Sequence, residues 1–279
     1  MLTRFRSWWR QRDLQRARRR EPIDAALWSG TLARYPFLDD LSLAERARLR
    51  DLVHLFLDRK VFTTAHDLPL TEDMRLSVAA QACILILDLD IRYYDGWSGI
   101  VLYPTQFLPR HRYVDAMGIT HDTEFAHSGE AWLGGPVILS WDDVEQSGES
   151  DGMNVVIHEF AHKLDMLNGN SNGFPPLHAD MQRERWAQVF SHAYAGLCAT
   201  VERGHYTPID PYATEAPEEY FAVISEVFFE RPDVVLNHYP EVYEQLRLFY
   251  RQDPHTRMLR AQLHASAPVN HETAAPARH

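Results

Sequence analysis

The chain has 279 residues, 45% hydrophobic and 24% charged, which is enough to bury a core without disulfide staples. No apolar run approaches the about 20 residues that a membrane helix needs, and two cysteines, Cys83 and Cys198, cannot build a disulfide framework or a cysteine zinc site. The net charge of −11 is uneven: eight arginines against Asp13 give residues 1–20 a charge of +7 and leave −18 on the rest, which excludes general binding to phosphate backbones. An integral membrane protein, a secreted disulfide scaffold and a nucleic-acid binder are thereby set aside, and a reducing cytoplasm is the expected compartment.

Residues 1–20 mix Phe5, Trp8, Trp9 and Leu14 with the arginines and read as a mobile or self-packed basic arm. The arm lacks the apolar core and cleavage site of a secretory signal, so export is not expected. Ser42 can cap a helix over 43–57, with Leu49, Leu52, Val53 and Phe56 at helical spacing. Thr71 opens another, striped by Met74, Val78, Ala82, Leu85 and Ile86. A β region follows: 99–103 closed by Pro104, then Trp132, the Gly134-Gly135 pair and a strand within 136–141. Helices return over 154–168 ended by Gly169, 177–198, 217–230 ended by Pro232, and 240–251. From about His264 the chain reads as a disordered tail. Helices, a small sheet and more helices make an α+β fold, a mostly helical single domain over 21–263.

The chemistry concentrates in residues 155–165, where His158-Glu159-Phe-Ala-His162 forms an HExxH pattern. On a helix the two histidines share a face, so both imidazoles reach one ion while Glu159 can hold a water beside it. Zinc takes imidazole nitrogens, needs a third protein ligand, and keeps its fourth position open for water in a catalytic site. Asp165 returns to the same face but sits about 10 Å along the axis from His158, too far to complete the set. It is expected instead to hold a ligand histidine or a nearby backbone group. A compact metzincin signature would need Gly at 165 and His or Asp at 168, where this chain has Asp165 and Asn168. The third ligand must therefore come from a downstream helix, and 217–230 offers Glu218, Glu219, Glu226 and Glu230. Glu218 and Glu230 are expected at exposed ends. Glu219 and Glu226, seven apart, share a face, and spacing does not choose between them.

Residues 41–254 carry a longer series of segments: Met74-Arg75, Ala79-Ala-Gln-Ala82, Val101-Leu-Tyr-Pro104, Gly129-Glu-Ala-Trp132, Leu139-Ser-Trp-Asp-Asp143, the stretch from His158 to Met166, and Asp210-Pro-Tyr-Ala213. In this order they resemble the Mlc titration factor A family of zinc-dependent peptidases, whose catalytic core is related to that of anthrax lethal factor. The resemblance implies a zincin-like domain of gluzincin type holding one Zn²⁺. It implies Glu219 as third ligand beside His158 and His162, leaving Glu226 a supporting role, and Tyr212 as a phenol near the metal. Glu159 is then the general base. The segment Glu130, Ala131 and Trp132 is expected to supply a sheet edge for the substrate, a peptide or protein cleaved by aminopeptidase or restricted endopeptidase action. A second implication is regulatory, since the family takes its name from binding a transcriptional repressor of sugar-uptake genes. A loop over 168–176 or the helix 177–198 is expected to be able to cover the cleft.

Overall fold

The structure, a computed structural model, describes residues 2–105, 110–114, 120–124, 129–131, 134–147 and 150–265. Four helices lead: α1 (Leu2–Arg20), α2 (Ala25–Arg34), the single turn α3 (Pro36–Asp39) and α4 (Leu43–Arg59). The start of α4 is fixed by a reciprocal cap in which Glu45 N–H donates to Ser42 Oγ at 3.3 Å and Ser42 N–H donates to Glu45 Oε2 at 2.9 Å. Strand β1 (Val61–Thr64) then leads to α5 (Glu72–Leu85), capped by Thr71 and buried almost throughout, the central rod of the core.

The sheet is built from β1, β2 (Gly99–Tyr103), β5 (Gly129–Ala131) and β6 (Val137–Ser140), in the order β1-β2-β6-β5. β1, β2 and β6 run parallel, with α5 in the connection from β1 to β2, and β5 runs antiparallel at the edge with Ala131 opposite Val137. Ile100, Leu102, Val137 and Leu139 are fully buried, which gives the sheet one face on the core. A separate hairpin, β3 (Arg110–Val114) with β4 (Thr120–Glu124), is inserted before β5. After β6 come α6 (Trp141–Gln146), α7 (Val155–Asp165), α8 (Arg183–Glu202), α9 (Pro217–Glu230), α10 (Pro232–His238), α11 (Pro240–Tyr250) and α12 (Pro254–Ala265).

Two aromatic clusters hold the helices that matter for function. Phe160 of α7 packs against Phe56, Tyr94 and Trp97, with ring centroids 5.7, 5.1 and 5.7 Å away. Phe221 of α9 meets Trp186 and Phe249 at 6.1 and 6.0 Å. Each helix thus buries an aromatic back and leaves another side for polar side chains.

The mostly helical α+β architecture agrees with the sequence reading, and several elements differ in extent. The basic arm forms α1, laid on α4 with Ala17 buried and Arg18 and Arg20 paired with Asp51 and Asp58. α8 starts at Arg183 rather than near 177: Met181 N–H donates to His178 O at 2.9 Å in a turn, and His178 Nε2 ties the segment to Phe249 O at 2.7 Å. α12 continues to Ala265, so the first two residues of the expected tail are helical; its remainder lies outside the described residues. Among the described residues no helix is long and apolar enough to cross a membrane.

Candidate metal centre

α7 begins where Asn154 Oδ1 accepts from Ile157 N–H at 2.9 Å, and this cap sets which residues face α9. Four residues on, His158 turns toward that helix, and His162 lies one turn further. α9 begins at Pro217, whose fixed φ suits a first helical position, and carries Glu219 in its first turn.

The structure brings three donors together. His158 Nε2 lies 3.1 Å from Glu219 Oε2, His162 Nε2 lies 3.2 Å from His158 Nε2, and His162 Nε2 lies 3.5 Å from Glu219 Oε1. These three side chains form a group able to hold a metal ion among the described residues. Bonds of about 2.1 Å at tetrahedral angles put neighbouring ligand atoms about 3.4 Å apart. The observed spacings surround that value, so two imidazoles and a carboxylate fit one zinc-sized ion.

The far nitrogen of each ring is also held. His158 Nδ1–H donates to Glu226 Oε1 at 2.7 Å, so Nε2 is the nitrogen left to bind a metal, which would take the place of any proton there. Glu226 and Glu219, the pair that spacing left unresolved, therefore serve the two nitrogens of one imidazole. Glu226 Oε2 also accepts from Asn154 N–H. His162 Nδ1 lies 3.3 Å from Ser171 Oγ. Asp165, fully buried at the end of α7, accepts from Ser171 Oγ at 2.9 Å and from Asn172 and Gly173 N–H at 2.7 Å.

Electrostatics favour a cation here. Burial opposes charge on His158, yet the Glu226 and Glu219 carboxylates outweigh it and hold its pKa well above the usual imidazole value. Burial would likewise raise Glu219, but its close contacts with the His158 and His162 imidazoles pull its carboxyl far below the usual range. Glu159 is buried on the same helix, and Tyr212 sits on the turn before α9 with its ring centroid 6.1 Å from that of His158. Partial burial, then the charges of Glu219 and Glu159, push the Tyr212 phenol well above its ordinary pKa, so it keeps its proton.

Residues 5–251 match the family described as glucose-regulated metallo-peptidase M90. The chain belongs to this family. Its similarity to named M90 relatives is extensive: Mlc titration factor A of Serratia proteamaculans is 35% identical over 247 residues, 88% of this chain and 94% of the relative. The protein of that name in Yersinia pestis is 35% identical over 228 residues, 81% of this chain and 84% of the relative. The family match starts at residue 5, so it takes in most of α1, which the sequence resemblance had left outside.

The remaining M90 site expectations divide. Glu130 and Ala131 lie in β5 at the sheet edge, while their side chains and the whole of Trp132 lie outside the described residues. Glu230 is not an exposed helix end. α10 follows at once, and the Gly152–Asn154 turn covers it: Glu230 accepts from Asn154 Nδ2 at 2.8 Å and Gly152 N–H at 3.2 Å. Asn154 Nδ2 also donates to Gln81 Oε1 at 2.7 Å, joining α5 to the network behind His158. Ser171 had no sequence signal beyond being polar, Gln81 stood out only within the resembling segment 79–82, and Glu230 was offered by the downstream helix but read as an exposed end.

Proposed function

We propose that the protein is a zinc-dependent peptidase acting in the cytoplasm, with His158, His162 and Glu219 holding one Zn²⁺. The observation that carries this reading is the convergence of two Nε2 atoms and a carboxylate at 3.1–3.5 Å, with both Nδ1 atoms otherwise engaged. Bound zinc supplies Lewis-acid polarisation of a carbonyl and acidifies water toward neutral pH. Glu159 accepts a proton from the attacking water and passes it to the leaving amine. Tyr212, protonated at neutral pH, donates its O–H to the carbonyl oxygen as negative charge develops there. Among the described residues β5 is the last strand of the sheet, and its outer edge would offer backbone groups to an extended peptide, so the substrate is a peptide or protein chain lying as an added strand. Both aminopeptidase and restricted endopeptidase action suit this site, and N-terminally blocked peptides separate them.

Glu159→Gln is expected to lower hydrolysis about 10²–10⁴-fold with zinc retained. Unchanged turnover in a zinc-loaded variant would remove Glu159 from the mechanism. The relatives' name favours a second reading, in which the chain sequesters a repressor of the Mlc type. Sequestration would survive Glu159→Gln in a pull-down of that repressor, whereas a purely enzymatic role would not.

A further inference from the structure

The loop after α7 closes back on the site. Asp165 Oδ2 receives the N–H groups of Asn172 and Gly173, which marks it as an acceptor, and receives the Ser171 hydroxyl at 2.9 Å. A hydroxyl has one proton, and here it is committed to Asp165. Toward His162 Nδ1, at 3.3 Å, the Ser171 oxygen can therefore only accept. His162 must then carry a proton on Nδ1, which leaves Nε2, facing His158 and Glu219 at 3.2 and 3.5 Å, as the nitrogen that can bind a metal.

The loop has little freedom to relax. Gly173 has φ +73°, and a Cβ there would come within 2.5 Å of Pro217 O, so its backbone presses on the first turn of α9, two residues before Glu219. Trp186 Nε1 donates to Gly173 O at 3.2 Å and holds the loop from the α8 side. Ser171 is thus presented to His162 by a segment anchored at Asp165, Trp186 and α9.

We propose that Ser171 is a positioning residue that relays the Asp165 carboxylate to His162, fixing the tautomer and ring orientation in which Nε2 serves as metal donor. This rests on the zinc-peptidase reading of the His158/His162/Glu219 site. Glu226 orients His158 directly; Asp165 orients His162 through a hydroxyl. The relay explains why Asp165, too far along the helix to be a ligand, is buried at the end of α7.

Ser171→Ala removes only the hydroxyl, since the Asn172 and Gly173 N–H bonds to Asp165 come from the backbone. Zinc affinity is read by competition with a chromophoric chelator, and the His162 ring tautomer by ¹⁵N–¹H spectra of the metal-free protein. Ser171→Ala should weaken zinc binding about tenfold and lose the single Nδ1–H pattern of His162, while Ser171→Thr retains both. Thermal unfolding should shift by no more than a few degrees, about the effect of one hydrogen bond. Unchanged affinity and tautomer in Ser171→Ala overturn the relay. So does an equal loss of affinity in Ser171→Thr, which would mean that the loop, not the hydroxyl, was disturbed. A parent protein that takes up no zinc overturns the peptidase reading itself, and the His162 tautomer still reports on the relay.

Discussion

At the scale of single residues, His158 is held at both ring nitrogens, with Glu219 at one and Glu226 at the other. Glu226→Gln places an amide N–H₂ against either the imidazole N–H or the Asn154 N–H, so one of the two bonds is lost. Zinc affinity, measured by chelator competition, should fall about 10–100-fold. Glu230 gives a different signature. Burial first, then the neighbouring Glu226 charge, raise its carboxyl from 4.5 to about 8. Between those values the unfolded chain has released a proton that the folded protein retains, so stability falls as pH rises. Glu230→Gln removes that slope, and its unfolding free energy from pH 5 to 8 should decline less than the parent's, by on the order of 3 kcal/mol. The histidine pair was legible because helical geometry alone puts i and i+4 on one face. Glu219 and Glu226 were not separable, because residues seven apart share a face and the choice depends on where α9 crosses α7. Glu230 was misread since a helix end looks exposed in sequence even where the next turn covers it.

At the scale of elements, the start of α4 is tied to α12. Glu45 accepts from Ser42 in the cap and pairs with Arg257 and Arg260 at 3.2 and 3.0 Å. Burial would raise its carboxyl, but the Ser42 hydrogen bonds and the Arg257 charge bring it down to about 2. A depressed folded-state value contributes stability that is complete above the unfolded value of 4.5 and is lost as pH falls through about 2. Glu45→Gln should therefore cost about 1 kcal/mol at pH 7 after solvent screening, with the difference from the parent vanishing in acid unfolding near pH 2. The cap at Ser42 could be read from sequence. The clamp could not, because α12 lies some two hundred residues away and its arginines look like any solvated face. The elements α4, α5, β2, α7, α9 and α11 were legible through caps, apolar stripes and terminal Gly or Pro. α1 was not, since eight arginines obscure any apolar pattern in the segment, and the acidic Asp51 and Asp58 of α4 that meet it are distant in sequence.

At the scale of the whole molecule, the uneven charge is partly settled within the fold: the basic N-terminal helix pairs with the acidic side of α4, through exposed ion pairs worth ~0–1 kcal/mol each. The site draws on distant parts of the chain, with histidines from α7, carboxylates from α9 and the loop at Ser171 between them, all resting on aromatic clusters contributed by α4, α8 and α11. Such a site is built by the core rather than by the ion, so a ligand can be removed without unfolding the protein. The most direct test is the zinc content of the purified chain beside that of Glu219→Ala. Near one zinc per chain in the parent, sharply reduced in the variant with its fold intact, is the expected result. Equal zinc in both, or none in the parent, would contradict a metal centre at His158, His162 and Glu219.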